Sequence, residues 1–298
     1  MMPATPLSRL GEEAVLSRLL EHSPTPGSNL LLGPGDDCAI VRRDDAWDSL
    51  LKTDALVEGV HFTPDTKPQL IGRKALARAL SDIAAMGGIP EHALVTLMVH
   101  PSRPVELLEG IYRGLCELAE QFGVSLAGGE TSSLPTDGLA IAVALTGRIE
   151  RGQAILRSGG VAGDILCVSG RLGGSFASGR HLSFTPRVEL ARQLLAQGLR
   201  PHAMMDISDG LAVDLPRLAH ACNCDFELDE TALPCHADCT AQQALGDGED
   251  YELLMALAPE TAACLPQHPH LGLTPIGKLV PGRAHTLNGG WQHFLPHT

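Results

Sequence analysis

Acidic residues recur at the ends of apolar segments in this sequence. One adjacent pair opens an apolar run in the stretch "LLGPGDDCAIV", residues 31–41. Repulsion and desolvation both disfavour neighbouring carboxylates at the mouth of a buried strand, and bound cations would offset that cost. The acidic positions are Asp36, Asp37, Asp54, Asp82, Glu130, Asp206, Asp209, Glu249 and Asp250. Carboxylate oxygens suit Mg²⁺, which proteins usually share with substrate phosphates, so the set predicts a magnesium-phosphate site.

A turn or helix cap is the competing interpretation of each position taken alone, because Asp before Gly is common at both. In "DISDGL", Ser208 or Asp209 would serve equally as the cap of a helix that begins at Gly210. Asp82 fits a cap least well, since it lies within a predicted helix on an otherwise small and apolar face. The magnesium hypothesis therefore depends on the recurrence.

Nucleotide-binding signals are less specific. The sequence has no GxxxxGK[ST] loop and no protein-kinase signature. In "AGGETSS" the glycines would let the backbone approach a phosphate, and Glu130 stands beside them. Arg157 in "ILRSGG" is either a phosphate partner or a solvated charge, and both interpretations stay open. The cysteines between Cys222 and Cys239 have CxC and CxxxC spacings, which fit a zinc site poorly and favour incidental thiols.

Bulk properties exclude several classes of protein. The chain has 298 residues, enough for two domains, and a formal charge of −13. It carries no Lys/Arg cluster, which argues against a nucleic-acid partner. Its first residues, "MMPATPLSRLGEEAVLSRLL", do not resemble a signal peptide, and no apolar run reaches the length of a membrane span. We therefore expect a cytoplasmic protein with no membrane partner.

The elements that must position these carboxylates alternate between strands and helices. "QLIGRKALARALSDIAAMGG" predicts a long helix that ends at its glycines, and "PVELLEGIYRGLCELAEQFG" predicts a second one. "ALVTLMVH" and "LAIAVALTGRI" predict buried strands. The sequence becomes glycine-rich near residue 150, which indicates a linker between two domains. The pattern predicts an α/β (α+β) protein with an N-terminal domain, 1–150, and a C-terminal domain, 151–298.

Taken in order, the motifs resemble those of the thiamine-monophosphate kinases. The matching stretches are "GPGDDCAIV", "KTDALVEGVHF", "KALARALSDIAAMGGIP", "AGGETS", "LRSGGVAGD", "MMDISDGLAVDL" and "GEDYEL", and they span nearly the whole chain. These kinases belong to the ATP-dependent superfamily of aminoimidazole ribonucleotide synthetase. The resemblance implies two α/β domains, with the N-terminal domains of a homodimer forming a β-barrel between them.

The resemblance also implies roles for individual residues. The Mg²⁺ ligands would be Asp37, Thr53, Asp54, Asp82, Glu130, Asp206 and Asp209. ATP would contact Tyr112, Gly129, Glu130, Arg157 and Ser208. Thiamine monophosphate would contact His61, Glu249 and Trp291. An indole face suits a flat cationic thiazolium ring, although a C-terminal packing role for Trp291 is equally compatible with the sequence.

The implied reaction is direct in-line transfer of the γ-phosphate of ATP to thiamine monophosphate, the last step towards thiamine diphosphate. Three positions depart from the family pattern: Glu130 replaces Asp, Lys52 replaces a small residue and Asp247 replaces Gly. These three departures affect the expected number of bound Mg²⁺ ions more than the expected activity. The alternatives are another ATP-dependent enzyme of the superfamily, a non-catalytic nucleotide- or metal-binding protein, and a metal-dependent phosphatase. Selenophosphate synthetase fits poorly, because it needs a reactive Cys or selenocysteine near the N-terminus and the first cysteine here is Cys38. The hydrogenase maturation factor of the superfamily also fits poorly, because it ends in a cysteine whereas this sequence ends "LPHT".

Overall fold

The computed structural model describes residues 5–291, apart from the side chain of Glu13. The strands are β1 (Leu30–Leu32), β2 (Ala39–Arg42), β3 (Trp47–Val57), β4 (Ile89–Val99), β5 (Ser125–Ser133), β6 (Leu139–Glu150), β7 (Ile165–Val168), β8 (Ala203–Asp206), β9 (Asp225–Leu228), β10 (Leu253–Leu257) and β11 (Thr274–Val280). The α-helices are α1 (Gly11–Leu20), α2 (Pro68–Ala85), α3 (Val105–Phe122), α4 (Ser175–Ser178), α5 (Val188–Ala196), α6 (Leu211–Ala221), α7 (Ala241–Gly246) and α8 (Pro259–Cys264).

The first sheet has six strands in the order β1-β2-β3-β6-β4-β5. Strands β4 and β5 pair in parallel, and the other neighbours pair antiparallel. Helices α2 and α3 cross closely because two glycines leave room for the neighbouring backbone. A Cβ at Gly72 would lie 1.8 Å from the carbonyl oxygen of Ile111, and a Cβ at Gly114 would lie 1.8 Å from that of Gln69.

The face of this sheet that points away from α2 is open and partly apolar. Leu51, Val57 and Leu94 are 42%, 36% and 50% exposed, although all three lie within strands. Within one chain the sheet ends at β1 and β5 without closing. The barrel expected between two chains therefore stays a prediction.

The second sheet has five strands in the order β8-β10-β7-β11-β9, all paired antiparallel. Helix α2 contacts this half of the molecule as well as its own, since it packs against α5 and β8 in addition to β3 and β6. This double packing explains why most of α2 is buried, including the charged side chains of Lys74 and Asp82.

Several local expectations are confirmed and others need correction. Helix α2 ends as predicted, before Gly87 at φ 75°. The apolar spacing of residues 7–22 predicts one amphipathic helix. The structure instead has a 3₁₀ turn, Leu7–Arg9, before α1, because the chain at Gly11 has φ 72°. The sequence "VSLAGGETSS" predicts a strand that runs into a glycine-rich turn. In the structure β5 continues through these glycines. No described helix is both long enough and apolar enough to span a membrane.

Candidate active site

Three buried carboxylates meet at helix α2, which packs against strands of both sheets. Asp37 lies just before β2, Asp82 lies in the last turn of α2, and Asp206 ends β8. One carboxylate oxygen from each lies within 4.8 Å of the others, and the side chains are almost fully buried. Burial and the neighbouring carboxylate of Asp37 raise the pKa of Asp206 to about 6. Such a convergence requires positive charge if all three groups are to be ionised at neutral pH.

The cluster fits a hard divalent cation. Oδ2 of Asp37 is buried and receives no hydrogen bond from any described residue, so it is available as a ligand. Oδ2 of Asp206 accepts a hydrogen bond from Oγ of Ser81 at 2.7 Å, which orients that carboxylate. An unpartnered oxygen together with oxygen-only donors is the chemistry that Mg²⁺ prefers.

Two basic side chains already neutralise part of this charge. Nζ of Lys52 lies 2.7 Å from Oδ1 of Asp82, and Nε of Arg157 donates to Oδ1 of Asp37 at 3.1 Å. The pKa of Lys52 is raised because the attraction of Asp82 and Asp54 outweighs the cost of burial. Lys52, which departs from the family pattern, therefore points into the cluster.

A cavity of about 670 Å³ opens beside the cluster. Asp82, Asp206, Asp54, Ser208 and Asp209 line it, together with the basic residues Lys52, Arg78, Arg157 and Arg217. Nε of Arg78 lies 3.0 Å from Oδ2 of Asp54. The size and the mixed charges of this cavity suit the polyphosphate of a nucleotide with its counter-ions.

The Ser208–Asp209 loop is held by Asp214, which is fully buried in α6. Oδ2 of Asp214 accepts from the backbone N–H groups of Ser208 and Asp209, each at 3.0 Å, while Oδ1 accepts from Arg217 at 2.9 Å. The loop thus presents the Ser208 and Asp209 side chains to the cavity without support from a regular helix cap.

A second cavity of about 540 Å³ adjoins the first. Its lining contains all three residues assigned to thiamine monophosphate, His61, Glu249 and Trp291, and also the aromatic ring of Phe176. Five residues line both cavities, namely His61, Arg78, Ser208, Asp209 and Tyr251. After the roles that the sequence resemblance implies for their lining residues, we call the first the donor cavity and the second the acceptor cavity, and we call the five shared residues the junction.

His61 is neutral at the junction. Burial and the positive charge of Arg78 lower its pKa to about 4, and Nδ1 accepts from the backbone N–H of Val57 at 3.0 Å. Trp291 is anchored through its backbone, whose N–H donates to the carbonyl of Asp209 at 2.8 Å. The two predicted acceptor contacts are thus connected to the elements that carry the carboxylates.

Four predicted residues do not join these cavities. Register and strand alternation put Thr53 and Glu130 on the open face of the first sheet, whereas Asp54 lies on the face towards α2. Gly129 is also on β5, the edge strand, and Tyr112 is exposed on α3. Within one chain the sheet separates Thr53 and Glu130 from the cluster, and strands β6 and β4 lie between Gly129 and β3.

Asp36 has a different environment from its neighbour. Its carboxylate accepts from the backbone N–H of Arg157 at 3.1 Å and from that of Asp37 at 2.9 Å. Burial and the charge of Asp37 raise its pKa to about 6. Asp36 therefore holds the "GPGDD" turn against the chain at Arg157, between β6 and β7, while Asp37 belongs to the carboxylate cluster.

Sequence reasoning did not identify Lys74, Arg78, Ser81, Phe176, His181 or Asp214. A signal was present for two of them, because Lys74, Arg78 and Asp82 follow each other at intervals of four along α2 and therefore share one face. Charges on a face that otherwise reads as core indicate a site.

The comparisons with known proteins first define the class. The family models described as "AIR synthase related protein, N-terminal domain" and "AIR synthase related protein, C-terminal domain" match residues 35–149 and 152–289. At the level of fold, E. coli HypE, a hydrogenase maturation protein, is similar with a TM-score of 0.66 at 24% identity, and 96% of this chain and 97% of that chain are covered. The molecule is thus a two-domain protein of the AIR synthase-related class.

Closer relatives identify the family. Thiamine-monophosphate kinase of Rhodopirellula baltica is 38% identical over 269 residues, covering 84% of this chain and 83% of the relative, and that of Bacillus subtilis is 37% identical over 294 residues, covering 87% and 89%. The solved structure "AaThiL complexed with AMPPCP and TMP" is similar with a TM-score of 0.85 at 29% identity, and 97% of this chain and 99% of that chain are covered. The chain belongs to the thiamine-monophosphate kinase family.

Proposed function

We propose that this protein transfers the γ-phosphate of ATP to thiamine monophosphate, giving thiamine diphosphate and ADP. The observation that carries the proposal is the pair of adjoining cavities. One is lined by carboxylates and arginines, the other by aromatic rings and Glu249, and the two share a junction at Arg78, Ser208 and Asp209. The similar AaThiL complex contains both AMPPCP, an ATP analogue, and TMP, which supports a site for two substrates.

The chemistry requires little covalent participation by the protein. An oxygen of the acceptor phosphate bonds to the γ-phosphorus of ATP while the bond to the leaving ADP oxygen breaks, in line. The acceptor phosphate is already anionic at neutral pH, so the barrier is dominated by repulsion between two polyanions and by positioning. Arg78 at the junction is placed to orient the phosphates as they meet.

The residues that would hold Mg²⁺ are Asp37, Asp82 and Asp206, with Asp54 and Asp209 at the wall of the donor cavity. When bound, Mg²⁺ would neutralise charge on the transferring phosphoryl group. Arg157 supports this arrangement by orienting Asp37, and Ser81 does the same for Asp206.

The acceptor cavity fits a molecule with a flat cationic ring. Phe176 is 45% exposed at its wall, and Trp291 lies in the same lining. Aromatic faces attract cations such as thiazolium. Pairing with His181 and Lys74 lowers the pKa of Glu249 despite its burial, so an anionic carboxylate is also present. This combination is the reason for favouring thiamine monophosphate over acceptors that lack a cationic ring.

We further propose that the protein acts as a homodimer formed by the open face of the first sheet. The exposed side chains of Leu51, Val57 and Leu94 supply apolar surface for such a contact. Thr53 and Glu130 lie on that same face, so they would act only in the dimer. Leu94→Glu should convert the protein to a monomer in light scattering with size-exclusion chromatography, whereas a surviving dimer would exclude this face.

The activity is tested by measuring thiamine diphosphate formed from thiamine monophosphate and ATP, with and without Mg²⁺. Product that requires both ATP and Mg²⁺ supports the proposal. A folded protein that binds ATP and forms no product would exclude thiamine monophosphate as the acceptor. ATP-independent release of inorganic phosphate would instead favour the phosphatase.

A further inference from the structure

Lys74 is a fully buried lysine that the reaction described above does not use. Its side chain has no exposed surface, and its three ammonium hydrogens all have partners. Nζ donates to Oε2 of Glu249 at 2.5 Å and to the carbonyl of His61 at 2.6 Å, and it lies 2.6 Å from Nδ1 of His181. A buried ammonium is costly unless it is fully paired, so the site must supply all three partners together.

These partners belong to three different walls of the acceptor cavity. His61 and Glu249 line it directly. His181 reaches it through Phe176, because the two rings stack with centroids 4.5 Å apart and planes 22° from parallel. Nζ of Lys74 also lies 5.9 Å from the centroid of the Phe176 ring. The Lys74 ammonium therefore contacts two residues of the cavity lining directly and is connected to a third, Phe176, through the stacked ring of His181.

The contacts also join the two halves of the chain. Lys74 and His61 lie in the part of the chain that matches the N-terminal family model, and His181 and Glu249 lie in the part that matches the C-terminal one. Glu249 itself has a left-handed backbone with φ 64°, which a non-glycine residue adopts only when its surroundings hold it there. Its backbone N–H donates to the carbonyl of Ser208 at 2.7 Å, and its side chain is held by Lys74.

We propose that Lys74 is a positioning residue that assembles the acceptor cavity, and so determines affinity for the acceptor without taking part in ATP binding. The inference rests on the proposed function, since the acceptor is the thiamine monophosphate assigned above. The hydrogen bond from Lys74 ends on Oε2 of the Glu249 carboxylate and holds the orientation of that group at the cavity wall. The donor cavity has no contribution from Lys74 among its lining residues.

The test is Lys74→Met in the full-length protein, with Lys67→Met as the matched control. Lys67 precedes the same helix and is exposed. We expect Lys74→Met to raise KM for thiamine monophosphate roughly tenfold or more, with KM for ATP and kcat changing less than about threefold. Lys67→Met should leave all three unchanged. Parallel changes in both KM values, or no change in either, would overturn the inference.

Lys74→Gln provides a second variant, because it keeps one donor and removes the buried charge. It is expected to raise KM for thiamine monophosphate by less than Lys74→Met does. If Lys74→Met does not fold, as judged by lost binding of AMPPCP, the Gln variant carries the kinetic test. A Gln variant with the KM values of the unmodified protein would then overturn the inference.

Amide hydrogen exchange separates this inference from the proposed function, since it needs no turnover. Loss of Lys74 should speed exchange at the N–H groups of Glu249 and Tyr251, which bond to the carbonyls of Ser208 and Ile207. If the unmodified protein makes no thiamine diphosphate, the proposed function fails, and the exchange result alone decides the role of Lys74. Unchanged exchange in the variant would contradict it.

Discussion

Lys52→Met should lower the free energy of unfolding of this protein, and the loss should be larger without Mg²⁺ than with it. The ammonium of Lys52 lies 2.7 Å from Oδ1 of Asp82, with 22% of its side chain exposed and 8% of that of Asp82. At an effective dielectric constant of about 20, two unit charges at this separation attract by about 6 kcal/mol. Removing Lys52 also removes the cost of burying it, so the expected net loss in the free energy of unfolding is about 3 kcal/mol.

The loss should be largest without metal. Asp82 would then face Asp37 and Asp206 without its own ion pair, while Arg157 remains paired with Asp37. A cation bound by the folded state alone, at about one hundred times its dissociation constant, stabilises by about 2.7 kcal/mol. Mg²⁺ should therefore recover most of the loss, and it should stabilise the variant more than the unmodified protein.

Urea unfolding in EDTA and in excess Mg²⁺, followed by circular dichroism, measures both effects. Lys278→Met is the matched control, because Lys278 pairs with Glu227 at 2.8 Å while the two side chains are 48% and 65% exposed. Its loss should stay below about 1 kcal/mol and should not respond to Mg²⁺. Equal losses for the two variants, or a Lys52→Met loss that Mg²⁺ leaves intact, would refute the assignment of a cation site beside Asp82.

Three further predictions concern the two cavities and the buried carboxylate of Asp250. Asp54→Ala or Asp209→Ala should lower kcat at least about a hundredfold with an unchanged circular dichroism spectrum, and full activity in either would exclude it as a metal or phosphate-positioning group. Trp291→Ala should raise KM for thiamine monophosphate about tenfold and leave KM for ATP unaltered, whereas a packing role predicts lost stability with unaltered KM. Burial raises the pKa of Asp250 to about 7 from 3.8, so the folded state binds a proton that the unfolded state releases. That contribution to stability is present below about pH 4 and is lost as pH rises through about 7. Asp250→Asn should flatten this dependence in unfolding measured from about pH 4 to about pH 8, and an unchanged slope would exclude Asp250 as its source.

The sequence was most informative where a charged residue interrupts an otherwise apolar pattern. Asp82 interrupts a small, apolar helical face, and the structure places it in the buried cluster with Asp37 and Asp206. Recurrence of carboxylates at segment ends therefore located the centre of the site. It did not separate Asp36 from Asp37, because their different roles depend on which one meets the backbone N–H of Arg157.

Other features depend on contacts that no local pattern encodes. Thr53 adjoins Asp54 in the sequence, yet strand alternation sends the two side chains to opposite faces of the sheet. Lys74 meets residues 107 and 175 positions further along the chain, at His181 and Glu249. A buried lysine without a local partner is visible in the sequence only as an anomaly within a helix.

Helix α2 explains how these separate signals form one site. Lys74, Arg78 and Asp82 share a face, and eight residues of helix span about 12 Å. Along that distance the face presents first the ammonium that assembles the acceptor cavity, then the guanidinium at the junction, then a carboxylate of the cluster. The side chains proposed to serve the acceptor, the transferring group and the donor thus lie on successive turns of one helix. Because α2 packs against both sheets, its register positions the groups of both domains relative to one another.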